Sequence, residues 1–265
     1  MQILRSKSVR RAGGRALFLA PLVALGLGCT DLTEVPQDAL TPETAFKTEQ
    51  ELLAGVAAVY ANLRGVEWVG YMTLSELTTD VMIVPTRGSD WYDNGRWLEI
   101  HRQDWTASSG SALDDMNGAW NTLFSGVAKA NLMMEVISGA DSPNEATYLA
   151  ELRLLRAWYY YMLQDMFGGV PIATTTELKQ YPRSTRSEVF SFIESELLAA
   201  RADLPVSWDA GNYGRVTKGA ANAILASLYL NAGVFNKDEG VSATSYNSCD
   251  VPVSGGMSGG MVISF

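Results

Sequence analysis

Histidine and cysteine are nearly missing from this chain. His101 is the single histidine in 265 residues, and Cys29 and Cys249 are the two cysteines. A lone histidine excludes a His-rich zinc site and HExxH chemistry, and a Ser-His-Asp triad would rest on it alone. With Cys29 set just after an apolar run, Cys249 is left by itself, and no internal disulfide is expected. Positive charge is also short. There are 20 Lys+Arg against 29 Asp+Glu, a net charge of −9. Five of those basic residues lie in positions 1–28, which hold no acid, so the remainder carries 15 against 29, or −14. That balance argues against a nucleic-acid partner, which needs a basic face. Long hydrophobic runs are lacking as well. Ala16–Leu27, "ALFLAPLVALGL", has twelve residues, too few for a bilayer-spanning helix. Strand-like alternation is weak throughout.

What is present is a core-forming composition, 47% hydrophobic and 18% charged. Arg5, Lys7, Arg10, Arg11 and Arg15 precede the apolar run, and together they read as a signal peptide over residues 1–28. The run ends in "LGLGCTD", similar to a bacterial lipobox, with Gly28 as the small residue at the cut and Gly26 where leucine is usual. Cys29 is therefore the expected lipidation site; the plainer alternative is a simple signal peptide with an accidental cysteine. Acyl chains would hold the protein firmly, since each buried CH₂ contributes about 0.8 kcal/mol. Residues 29–42 then form a polar tether with Asp31, Glu34, Pro36, Asp38 and Pro42.

Helical signals fill residues 43–236. Thr48 and Glu51 form a capping box, followed by Leu52, Leu53, Val56, Tyr60 and Leu63 on one face. A short second helix is expected over Tyr71–Thr79. A long third carries Leu113, Met116, Trp120, Leu123, Val127 and Met134. The fourth contains "LRLLRAWYYYMLQDMFGGVPIA" and ends at Gly168–Gly169 before Pro171. Its residues Leu152, Leu155, Tyr159, Met162 and Met166 form one apolar stripe, and Leu154, Trp158 and Tyr161 another. Arg153, Arg156, Tyr160 and Gln164 make a polar strip. Two apolar stripes predict neighbours on two sides, so these aromatics are expected in the core rather than on a ligand platform. Thr185 and Glu188 cap a fifth helix; Thr217 caps a sixth, which Gly233 stops. The fold class is thus all-α, with TPR-like antiparallel helix pairs. Residues 237–265 are a low-complexity Gly/Ser tail, read as non-native or disordered.

Residues 81–110 form a long irregular Trp-rich loop. Trp91, Tyr92, Trp97 and Trp105 interleave there with Arg87, Asp90, Asp93, Asn94 and Arg96. Flat aromatic faces with a few polar groups suit the C–H patches and hydroxyls of a neutral sugar. The competing reading is that these rings staple the loop to the helices. Asp90, Asp93, Glu99 and Asp104 would supply paired carboxylates for a glycosidase, but acids in a polar loop are usually solvated. His101 reads as a partly exposed loop residue.

Several segments, in order, resemble the SusD/RagB family of nutrient-uptake lipoproteins. They are "CTDLTEVPQDAL", "ELTTDVMIVPTRGSDWYDNGRWLEIHRQDW", "LRLLRAWYYYMLQDMFGGVPIA", "SEVFSFIESELLAARADLP" and "GRVTKGAANAILASLYLNAG". The resemblance covers roughly residues 29–235. It implies a TPR-like helical fold, a lipid anchor in the outer membrane with the body facing outside, and a SusC-like TonB-dependent transporter as partner. It also implies oligosaccharide capture and delivery to that transporter without catalysis. The acids after Cys29 resemble a surface-export signal. Trp91, Tyr92, Asp93 and Trp97 are the candidate ligand contacts; no catalytic residue, metal ligand or cofactor is assigned. Family members are near twice this length, so the pattern's end near Asn236 suggests a truncated or frameshifted chain. The alternative function is a helical module, or a truncated copy, that only contacts the transporter.

Overall fold

A computed structural model describes residues 45–66, 70–106, 108 and 110–238. The signal peptide, the tether with Cys29, and the tail from residue 239 with Cys249 lie outside the described residues. The described chain is helical, with no strand. The helices are α1 Glu49–Ala61, α2 Arg64–Val66, α3 Met72–Glu76, α4 Arg96–Arg102, α5 Gly110–Ser138, α6 Glu145–Phe167, α7 Arg186–Asp203, α8 Lys218–Leu230 and α9 Ala232–Phe235. None of them is long and apolar enough to cross a membrane.

Local chemistry starts α1 and α7. Thr48 Oγ1 accepts from Glu51 N at 3.3 Å while Glu51 Oε2 accepts from Thr48 N at 2.8 Å. Thr185 and Glu188 repeat the exchange at 3.2 and 2.8 Å. Each box satisfies backbone donors that a helix start leaves open. Thr217 holds the N-cap position of α8, but its side chain makes no capping bond.

Side-chain contacts give the helix directions. Asn62 reaches Lys129, while Gly55 abuts Met133, so α1 and α5 run antiparallel. Gly126 lies against Tyr159, and Asn131 bonds Arg156, which fixes α5 and α6 as antiparallel. Arg156 pairs with Glu196 and Gln164 with Arg186, giving the same for α6 and α7. Arg201–Asn222 and Glu194–Tyr229 extend the pattern to α8. These are the expected antiparallel pairs, with α6 at the centre.

The structure departs from the pattern reading in four places. Most of the polar strip of α6 is not exposed: Arg156, Tyr160 and Gln164 are buried while the Arg153 side chain is 41% exposed, and both apolar stripes are buried apart from half-buried Trp158 and Met166. These buried polar groups find partners, except Gln164 Oε1, which has none among the described residues. Arg156 bonds Glu196 Oε2 at 2.6 Å and Asn131 Oδ1 at 2.7 Å. Tyr160 OH accepts from Ala173 N at 2.7 Å, and Gln164 Nε2 donates to Phe235 O at 2.8 Å. So α6 has three packed faces, and its aromatics are core. Second, Gly233 does not stop the sixth helix. That helix ends at Leu230, and Gly233 sits buried within α9. Third, α3 is shorter than Tyr71–Thr79, because Thr78 and Thr79 hydroxyls take the Leu74 and Glu76 carbonyls at 2.9 and 2.7 Å. Fourth, the irregular loop contains the helix α4. Gly168 ends α6 as expected at positive φ (+72°), though with ψ −123° rather than the left-handed helical value.

Candidate functional site

The site is built on the segment between α3 and α5. Met82 and Val84 turn inward, while Val81 and Ile83 turn out. Leu77, Ile100 and Ala112 form a small second core beneath them, joined by Leu74, Trp97, Trp105 and Met116. A tight turn follows, in which Arg87 and Asp90 exchange backbone bonds at 3.0 and 3.1 Å. A 3₁₀ turn, Asp93–Gly95, then feeds α4. Ile100, buried on α4, is the anchor that makes this helix form. His101 is helical rather than in a loop, with Nδ1 3.1 Å from Leu77 O.

This segment separates the tryptophans that composition grouped together. Trp105 and Trp97 are half-buried against the small core, as the stapling reading expects. Trp91 and Tyr92 are 48% and 54% exposed, although both are large and flat. Trp91 and Trp97 lie with ring centroids 5.8 Å apart at 60°. Trp97 Nε1 donates to Asp93 Oδ2 at 2.6 Å. Trp91, Trp97 and Asp93 are thus brought together, and Tyr92 adds a second exposed ring beside them in the chain.

Backbone strain concentrates here. Trp91, Asp93 and Asn94 take φ of 54°, 38° and 55°, and Gly95 takes 81°. For residues other than glycine, such conformations cost on the order of 1–3 kcal/mol each, and they cluster where function holds them. The Asp93–Trp97 bond and the Gly95 N–Tyr92 O bond at 2.7 Å hold the turn in place.

Charge underlies the same segment. The Arg96 guanidinium lies 4.9 Å from the Trp97 ring centroid and forms a two-pronged ion pair with Asp115 on α5. The Asp115 side chain is fully buried, and its hydrogen bonds raise the Arg96 pKa above the ordinary value. Sequence reading missed Asp115. It lies 19 residues from Arg96, on another helix, at a spacing that carries no local signal.

Two of the four acids in this segment carry structural bonds. Asp93 is committed to Trp97, and Glu99 Oε2 accepts from Ala112 N at 3.2 Å at the start of α5. Among the described residues there is no group of three or more His, Cys, Asp or Glu that could hold a metal ion. An open groove of about 590 Å³ lies elsewhere, between the start of α6 and the end of α7; Pro143, Leu149, Arg153 and Asp203 line it, without an aromatic ring. The aromatic surface at Trp91 is the better match to a flat ligand.

Comparison with known proteins gives a consistent result. A family model described as "Starch-binding associating with outer membrane" matches residues 33–230. SusD-like protein P2 of Formosa agariphila is 28% identical over 234 residues, covering 83% of this chain and 43% of its own length. A laminarin-binding SusD-like protein superposes with a TM-score of 0.61 at 24% identity, over 71% of this chain and 41% of that one. Surface glycan-binding protein A from Bacteroides thetaiotaomicron, solved with laminarihexaose, gives a TM-score of 0.57 at 22% identity, over 70% and 40%. At these identities the structural likeness concerns the fold. The chain spans under half the length of these relatives.

Proposed function

The chain belongs to the SusD-like family, and from that premise we propose that it is a surface glycan-binding lipoprotein. It binds oligosaccharide and delivers it, unchanged, to a SusC-like TonB-dependent transporter in the outer membrane. Lipid on Cys29 anchors it there, with the helical body facing outside.

One observation carries the reading: Trp91 and Tyr92 stand exposed on a strained turn, with Trp91 held against Trp97. Full burial of a large apolar side chain is worth about 1.5–3 kcal/mol, and these half-exposed rings forgo roughly half of it, so their exposure calls for a use. A flat ring packs on the C–H face of a pyranose, and Asp93, Asn94 and Arg87 stand close in the chain to meet hydroxyls. Binding without hydrolysis is part of this proposal and rests on the family likeness. The test is titration calorimetry with laminarihexaose and maltohexaose, alongside an assay for new reducing ends. Saturable heat without new reducing ends supports the reading; new reducing ends contradict it.

A second reading takes the openness of the Trp91 surface as its observation. In it, the helices contact the transporter and no glycan binds, because an open surface with rings on one side grips weakly. Transporter co-purification with no heat from either oligosaccharide would select it.

A further inference from the structure

We propose that Asp115 is a positioning residue for the aromatic surface, acting through Arg96 on the Trp91–Trp97 pair. The inference rests on the glycan-binding reading for its functional consequence, but not for its geometry. Asp115 lies on α5, is fully buried in its side chain, and grips both Arg96 Nε and Nη2. A two-pronged grip fixes the plane of a guanidinium as well as its place. That plane lies against Trp97, 4.9 Å from its centroid. Trp97 in turn touches Trp91 at 5.8 Å and bonds Asp93 at 2.6 Å. The path therefore runs from a rigid 29-residue helix to the exposed ring in three contacts.

Two features argue that this arrangement serves more than stability. An ion pair with one buried partner is a weak stabiliser, because desolvation offsets the attraction. The turn that it supports holds Trp91, Asp93 and Asn94 at positive φ, and such a turn needs a fixed foundation. Without Asp115, the Arg96 side chain, already 26% exposed, is free to swing to solvent. Trp97 then loses the cation on its ring, and with the small core and Asp93 as its remaining supports its angle to Trp91 is free to change.

The test uses the whole chain and two independent readouts. Two tryptophans this close and tilted give an exciton couplet in circular dichroism, defined as the difference between wild type and Trp91→Phe. Asp115→Asn is expected to lose the couplet while helical signal is kept. Because Asp115→Asn could unfold the small core, Arg96→Met combined with Asp115→Leu serves as the second variant; it leaves no buried charge unpaired and is also expected to lose the couplet. Asp115→Glu, which keeps the charge, is expected to regain part of it. For laminarihexaose, Asp115→Asn is expected to bind about tenfold more weakly, as for loss of an anchored aromatic contact. A retained couplet in either variant, or none in wild type, overturns the proposal whatever the glycan does. Absence of glycan binding by wild type, with the couplet behaving as stated, overturns the glycan reading and leaves the positioning role standing.

Discussion

Trp91 and Trp97 sit next to each other but differ in burial, and single substitutions should separate what each contributes. Trp91→Ala removes an exposed ring and should weaken laminarihexaose binding by about tenfold or more, with little change in thermal stability. Trp97→Ala also opens the small core around Leu77 and Ile100, so it should cost about 2–3 kcal/mol in denaturant unfolding as well. Composition alone could nominate all of these rings but could not rank them. Their exposure depends on which ring faces Leu77, Ile100 and Ala112, and that is decided by where α4 begins. The buried polar groups make a second residue-scale test. Arg156, 5% exposed in its side chain, depends on Glu196, so Glu196→Ala should destabilise by about 3–5 kcal/mol in denaturant titration. Buried tyrosines set the alkaline limit. Burial pushes Tyr160 up to about 12 from an ordinary 10, and it also raises Tyr60, Tyr71, Tyr159 and Tyr229. Between pH 10 and 12 the unfolded chain loses those protons while the folded one keeps them, so folding stability should be level below pH 10 and fall as pH rises through that window. Denaturant midpoints measured across that range check the sign.

At the scale of elements, what was legible is what is local. Two capping boxes could be read at their residues because the Thr and Glu that make them are three positions apart. Thr185→Ala should accordingly cost about 1 kcal/mol, seen as a lower denaturant midpoint. The helix pairs followed from apolar periodicity in the same way. The third buried face of α6 was not legible, because Arg156 is paid for by Glu196 and Asn131, which lie 40 and 25 residues away. Helix α4 was missed because it is seven residues long, too short for a period to register, and is held by burial of Ile100. Close helix contact is likewise visible only in the fold. A Cβ on Gly126 would come within 2.4 Å of the Tyr159 ring, which is itself fully buried and donates to Val59 O at 2.6 Å. Gly126→Ala should therefore destabilise the α5–α6 pair, although alanine gains about 1 kcal/mol in helix propensity over glycine.

For the whole molecule, charge constrains the ligand more than it does the fold. The chain after residue 28 carries −14, and the aromatic surface offers rings rather than a cationic cluster. Binding to a neutral oligosaccharide should then change little between roughly 0.05 and 0.5 M salt, since screening acts on charge pairs and not on ring stacking. The proposed function places the anchor on Cys29, so Cys29→Ser should release the protein from membranes and abolish incorporation of labelled palmitate. The candidate site of Trp91, Tyr92, Asp93 and Trp97 was legible as composition, whereas its foundation on Asp115 was not, because that contact joins two helices. The central claim is glycan binding at this surface, and calorimetry with laminarihexaose on wild type and on Trp91→Ala combined with Tyr92→Ala tests it most directly. Saturable binding by wild type that the folded double variant loses is the predicted result. Equal binding by both, or none by wild type with laminarihexaose or maltohexaose, would contradict it.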